Sequence, residues 1–168
     1  VVRPAAIEAG ADPLGIGAGE APPGTYALVY SLPSATIIEV GARGTAAFPA
    51  GAYAYVGSAF GSNGLGRVDR HRRVAAGAHD VRHWHVDYLG GHEATSLDAV
   101  VAAPGADVEC DLAGELTELT PSDSEADRPI DGFGASDCDC PTHLMFGDSA
   151  ETLRSRVVEA FDRIDRQE

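Results

Sequence analysis

The sequence predicts a domain of the α/β (α+β) class: a small three-stranded sheet flanked by helices, with an extra helix at the C-terminus. Three observations carry this. Two β-rich runs and a third segment of alternating aromatic and small residues crowd into residues 25–57, helical stretches follow at 65–76 and 107–119, and residues 150–164 place apolar side chains at helical spacing. With 168 residues, 44 % of them apolar, the chain is long enough for one domain with a real core.

Residues 1–23 are rich in Ala, Gly and Pro and show neither period 2 nor period 3.6, so they are expected to form a flexible N-terminal arm. The domain proper, residues 24–147, opens with Thr25-Tyr26-Ala27-Leu28-Val29-Tyr30-Ser31-Leu32, a strand stopped by Pro33. After a short turn, Ile37, Ile38 and Val40 mark a second strand within residues 36–43. Gly51-Ala52-Tyr53-Ala54-Tyr55-Val56-Gly57 suits a third strand beside the first two. Gly61-Ser62-Asn63-Gly64 is a turn and cap, and residues 65–76 form a helix ended by Gly77.

Residues 82–89 alternate as a strand does, but Trp84, Tyr88 and Leu89 also lie at helical spacing, and a short helix is the expectation. A strand at 97–103 stops at Pro104, and 107–119 is a helix with acidic residues early, where its dipole favours them. Residues 120–129 read as a polar acidic loop, 132–141 as irregular, and 142–146 as a short strand ended by Gly147. Ser149-Ala150-Glu151 caps the last helix, whose Leu153, Val157, Ala160, Phe161 and Ile164 share one face; residues 148–168 therefore pack on the domain.

The 12 positive residues are all arginine, and 26 carboxylates leave a net charge of -14. A lysine-free, strongly acidic surface stays hydrated where salt screens charge over only a few ångströms, as in the cytosol of a salt-in halophile; an acidic mesophilic protein is the alternative. No apolar run approaches the roughly 18 residues of a membrane span, and the N-terminus lacks the basic-then-apolar order of a signal peptide. A cytoplasmic location without a membrane partner is expected. Three cysteines, Cys110, Cys138 and Cys140, are too few and too odd in number for a disulfide framework and point to thiols or metal ligands.

Gly24-Thr25-Tyr26 on one strand, Tyr55-Val56-Gly57 on another, Arg67 and His71 on a helix and Glu109 on a later helix form an ordered set that resembles the GIY-YIG nuclease superfamily. Tyr55-Val56-Gly57-Ser58-Ala59, the arginines of 67–73, His83-Trp84-His85-Val86-Asp87-Tyr88, Glu109-Cys110 and residues 132–144 are similar to its small Uri-type endonuclease branch. The likeness covers residues 24–147. Threonine at the middle place of the first motif and the insert at 61–66 depart from the pattern, and neither removes a reactive group.

The resemblance implies a mainly antiparallel sheet and a metal-dependent endonuclease that hydrolyses DNA, or RNA, with an activated water. It implies that Glu109 binds a divalent ion, magnesium or manganese, and that Arg67 neutralises the scissile phosphate. Tyr26 or Tyr55 orients or deprotonates the water, and which of them does so stays open. A tyrosine with an ordinary pKa of about 10 needs a nearby cation to serve as a base. His71 lies four residues after Arg67 and so shares its helical face, where an imidazole can position water or a phosphate oxygen.

Each of these residues has a plainer reading. Strand tyrosines usually pack against a helix, and Glu109 is one carboxylate among many, with Asp111 its local competitor. Arg67, Arg70, Arg72, Arg73 and Arg82 gather five of the 12 arginines within 16 residues, a phosphate-facing surface on an acidic chain, although Arg72 and Arg73 also suit the balancing of nearby acids. His83 and His85, with Asp87, either contact nucleic acid or, with Trp84 and Tyr88, build core. Cys138, Cys140 and His143, with Cys110 as a fourth ligand, are a candidate structural zinc set, against small buried thiols beside a hydrogen-bonded histidine. No Gly-Lys-Ser/Thr follows Gly57, which excludes a nucleotide-binding P-loop.

Three functions therefore compete: the endonuclease, a non-catalytic nucleic-acid-binding module of the same fold, and a zinc-stabilised interaction domain. The charge reading has its own test. The thermal midpoint is expected to fall steeply between molar and 0.1 M potassium chloride (about 10 Å of screening at the lower value), and a midpoint indifferent to salt would return the chain to the mesophilic alternative.

Overall fold

In a computed structural model, which describes residues 1–120 and 131–167, the first strand β1 (Gly24–Leu32) is flanked on both edges and covered on both faces. This is why its sequence is a near-continuous apolar run: eight of its nine residues are buried. It pairs antiparallel with β4 (Gly51–Ala59) on one side and with β5 (Ser96–Pro104) on the other, and β6 (Leu144–Gly147) adds to the far edge of β4. The resulting sheet has four strands in the order β5-β1-β4-β6. The α+β class, the antiparallel sheet, the flanking helices and the C-terminal helix are all as expected.

The second predicted strand has another partner. Residues β2 (Thr36–Glu39) and β3 (Thr45–Phe48) form a separate two-stranded ribbon around Gly41 and Gly44, both at positive φ. Its Ile38, Val40 and Phe48 are buried against the main core, while Ile37 on the other side is 71 % exposed. Pro33 and the turn after it release the chain from the sheet edge, and β5, contributed from much later, takes the place beside β1.

Each face of the sheet buries its own cluster. On one face Tyr26, Leu28, Tyr30, Tyr53 and Tyr55 pack with α2 (Arg67–Ala75), α3 (His85–Gly90) and Phe133. On the other, Ala27, Val29, Ala54 and Val56 meet Leu112 and Leu116 of α4 (Glu109–Leu119) and Leu153, Val157 and Ala160 of α5 (Ala150–Asp165). The small residues there let both helices approach closely. Ser149 caps α5, its hydroxyl accepting the Thr152 N–H at 3.2 Å, as the sequence suggests.

Residues 1–23, expected to be a flexible arm, are instead packed on the domain. Val2 exchanges both backbone hydrogen bonds with Val100 at the free edge of β5, the short helix α1 (Pro4–Glu8) buries Ile7, and Ile16 is also buried. The Asp12 carboxylate accepts the N–H groups of Leu14, Ile16 and Gly17, closing the turn between these anchors. Three isolated apolar anchors have no period, so pattern reading passes over them. The acidic loop expected at 120–129 lies, past Thr120, outside the described residues. Among the described residues no helix is long and apolar enough to cross a membrane.

If the N-terminal segment is an anchored part of the core, Ile16→Ala should cost about 2–5 kcal/mol, as for other buried Ile to Ala changes. Denaturant unfolding in molar salt measures this, and an unchanged midpoint would show that the segment adds nothing.

Candidate functional site

Tyr26 stands opposite Gly57 in the β1–β4 pair, and Leu28 stands opposite Tyr55. Directly opposed residues share a face, so both tyrosines rise from the same side of the sheet. A side chain at Gly57 would lie 2.7 Å from the Tyr26 ring and hydroxyl; glycine there is what gives the ring its place.

The walls of a cleft of about 120 Å³ are completed by Ser58, Arg67, Trp84, Glu109, Asp137, Cys138 and His143. Tyr26, Tyr55, Arg67 and Glu109, far apart in sequence, thus meet at one place. Arg67, the first residue of α2, donates to the Ser58 carbonyl at 2.8 Å and stands 5.0 Å from the centre of the Trp84 ring. Glu109, the first residue of α4, enters from the other layer. Thr25, the residue that departs from the expected first motif, holds that helix in register: its buried hydroxyl donates to the Ala106 carbonyl and accepts the Val108 N–H just before Glu109.

His71 does not reach the cleft. It lies beneath Tyr26, 2 % exposed, with Nε2 3.0 Å from the phenol oxygen and Nδ1 3.3 Å from Asp87. With the ring proton on Nδ1, facing the carboxylate, Nε2 accepts the Tyr26 hydroxyl. Burial holds the imidazole below its ordinary pKa despite Asp87, so the ring is neutral at pH 7. Burial likewise raises both phenols well above the usual tyrosine range, with Tyr55 and Glu109 respectively as the chief further causes, and Arg67 offsets this only in part. Neither tyrosine is a phenolate at rest.

Asp87 organises this layer. Its buried carboxylate accepts both Arg70 Nη groups at 3.1 and 2.9 Å, His71, and the backbone N–H groups of His83 and Trp84. Burial alone would raise its pKa, but these bonds, led by His71 and Arg70, hold it well below the usual carboxylate range. In the sequence Asp87 is one acid in a histidine-rich stretch, and nothing local marks it as the hub.

The arginines expected to face phosphate are engaged elsewhere. Arg70 is tied to Asp87 and lies 4.7 Å from the Trp84 ring centre, Arg72 and Arg73 pair with Asp69, and Arg82 donates to the carbonyls of His79 and Gly91. Of these five arginines, Arg67 is the one that lines the cleft. His83 is exposed and packs edge-on with Trp84, and the half-buried His85 accepts the Gly134 N–H beside Phe133; neither lines the cleft. Ser58 and Asp137 are cleft residues that pattern reading left without a role, and Trp84, weighed there as a core builder, is exposed and lines the cleft. Ser58 had a signal, since it follows directly on Tyr55-Val56-Gly57.

Behind the cleft, Cys110, Cys138, Cys140 and His143 bring three sulfurs and a ring nitrogen within 4.8 Å of one another, a group that could hold a metal ion. His143 Nε2 is 3.2 Å from the Cys138 sulfur, and the Cys140 N–H points to that sulfur at 3.4 Å. The segment is fastened to β4 by the Val56 N–H to His143 carbonyl bond and to Phe133 by the His143 N–H. His143 Nδ1 is buried 3.3 Å from Glu109 but not aligned for a hydrogen bond. For Glu109, burial is outweighed by His143, Ser58 and Arg67, which keep it below its ordinary pKa and ionised.

The Asp87 cluster fixes a pH dependence. The unfolded chain takes up protons at His71 below about pH 6.5 and at Asp87 below about pH 4 more readily than the folded one, so both groups stabilise the fold at neutral pH and lose that effect on acidification. Asp87→Asn should cost about 3–5 kcal/mol by stranding Arg70 and should flatten the loss of stability below about pH 4, where the wild-type carboxylate takes up its proton. Denaturant midpoints measured from pH 2 to 7 check this; an unshifted midpoint would remove Asp87 from its central place.

One family model, described as Domain of unknown function DUF123, matches residues 25–166, which include the whole cleft and the Cys/His group. The chain belongs to that family. No curated protein and no solved structure matches it.

Proposed function

We propose that this member of the DUF123 family is a metal-dependent endonuclease of the GIY-YIG type, cleaving DNA, with RNA the second candidate, by a water nucleophile. The observation that carries the reading is the convergence of Tyr26, Tyr55, Arg67 and Glu109 on one cleft. The resemblance of their order to that superfamily supports it further.

Arg67 binds the scissile phosphate and neutralises the charge that grows on it. Water beside Tyr26 gives up its proton to the phenol oxygen as the phenol proton passes to His71 Nε2, and the imidazolium so formed is stabilised by Asp87. This relay needs no resting phenolate, in keeping with the raised phenol pKa. Tyr26 is therefore the base of the pair, and Tyr55, protonated, donates to a phosphate oxygen. Glu109, with Asp137 on the same wall, offers the hard oxygen donors that magnesium or manganese uses together with substrate phosphate. When bound there, the ion would supply charge stabilisation at the leaving oxygen. The acidic, lysine-free surface suits work in a salt-rich cytoplasm.

The Cys/His group favours a second reading, a structural zinc in an interaction or nucleic-acid-binding domain without turnover. Cleavage of single-stranded, duplex and branched substrates with magnesium or manganese in molar salt separates the two. Arg67→Ala should lower the rate by about 10²–10³-fold, Glu109→Gln should abolish the metal response, and Tyr26→Phe and His71→Ala should fall together because they share one proton path. Equal rates in all four variants and the wild type would refute these roles.

A further inference from the structure

The Cys/His group and the cleft share a wall. Cys110 follows Glu109 directly at the start of α4, and His143 lines the cleft with one side of its ring while its other nitrogen faces the Cys138 sulfur. We propose that a zinc ion held by Cys110, Cys138, Cys140 and His143 positions the Glu109 carboxylate of the cleft, acting through the His143 ring.

The donor set fits zinc. In a tetrahedral site with Zn–S near 2.3 Å, neighbouring donors lie about 3.8 Å apart; the four here are within 4.8 Å, so side-chain adjustments of an ångström close the site. Thiols that merely filled core would be enclosed by apolar side chains. Here Cys110 is exposed and Cys138 and Cys140 are half-buried, yet all three sulfurs turn toward one point. The N–H of Cys140 directed at the Cys138 sulfur supports a thiolate there.

The coupling follows from the tautomers of His143. Without metal the neutral ring can carry its proton on either nitrogen, and its buried Nδ1 lacks an aligned partner. Zinc on Nε2 leaves the proton on Nδ1, 3.3 Å from a Glu109 oxygen, where a small turn of the carboxylate aligns it to accept. The ion thus fixes the tautomer that donates to the carboxylate, and it anchors Cys110 in the same turn of helix. Metal, imidazole and carboxylate form a chain in which the carboxylate fixes the ring and the ring fixes the carboxylate. By reciprocity, Glu109 must strengthen zinc binding by as much as zinc favours the bonded Glu109. The meaning for function rests on reading Glu109 as a cleft carboxylate; the coupling itself does not.

The test measures zinc affinity by competition with a chromophoric chelator in the full chain, which needs no cleavage activity. Glu109→Ala should bind zinc 10–100-fold more weakly. Glu109→Gln, whose amide oxygen can still accept the Nδ1 proton, should recover part of the loss. Asp111→Asn, which removes the charge on the other sequence neighbour of Cys110, should bind as the wild type does. Equal weakening by Asp111→Asn would reduce the effect to bulk charge and overturn the inference, as would wild-type affinity in Glu109→Ala or failure of the wild type to bind zinc. In a zinc-depleted preparation that remains folded by circular dichroism, cleavage should fall with zinc content. Full cleavage by zinc-free protein overturns the inference and leaves the nuclease reading intact, whereas no cleavage by zinc-loaded protein, with the Glu109 affinity pattern as expected, sinks the nuclease reading alone.

Discussion

Tyr26 lies across Gly57 in the antiparallel pair of β1 and β4, and the rest of the site is arranged around that ring. Because side chains alternate along a strand, slipping β1 by one residue against β4 would send Tyr26 to the opposite face, into the layer of α4 and α5, and part it from Tyr55. The alanines and valines of β1 and β4 on that face leave no space for a tyrosine. The register is thus held from behind by small-residue packing and in front by the fit of one ring over one glycine. His71 then meets the phenol from α2, and Asp87 meets His71 from α3, so two helices are tied to the sheet through a single hydroxyl.

Charge is distributed unevenly through this arrangement. On a chain of net charge -14 the arginine-rich helix looks like a surface for polyanions, but Arg70, Arg72 and Arg73 each face a carboxylate. Arg70 ties α2 to α3 through Asp87, Arg72 and Arg73 share Asp69 within α2, and Arg67 stands at the cleft wall between the Ser58 carbonyl and the Trp84 ring. A phosphate drawn to this protein would therefore be held by one guanidinium and directed hydrogen bonds rather than by a broad positive field. Such contacts survive at salt concentrations where long-range attraction is screened within a few ångströms.

The two layers of the molecule meet at Glu109. Its helix belongs to the back face of the sheet, yet its first residue reaches the front because Thr25 of β1 fastens the preceding turn and the Cys/His group stands beside it. Threonine at that motif position, a departure when the sequence is read alone, has a structural use here.

Periodicity and motif order determined much of this protein without coordinates. The runs at β1, β4 and β5, the helices α2, α4 and α5 and the order of Tyr26, Tyr55, Arg67 and Glu109 were all legible, since strand alternation and helical spacing are local properties written within a few residues. Tertiary structure decided the partners. It placed β5 rather than β2 beside β1, anchored the N-terminal segment through Val2, Ile7 and Ile16, made Asp87 the hub under the tyrosines, and brought Cys110 to the neighbouring Cys138, Cys140 and His143. The reason is physical: which strand takes the edge of β1, or which acid meets Arg70 and His71, is settled by packing between segments far apart in the chain, and no short stretch of sequence carries that distance.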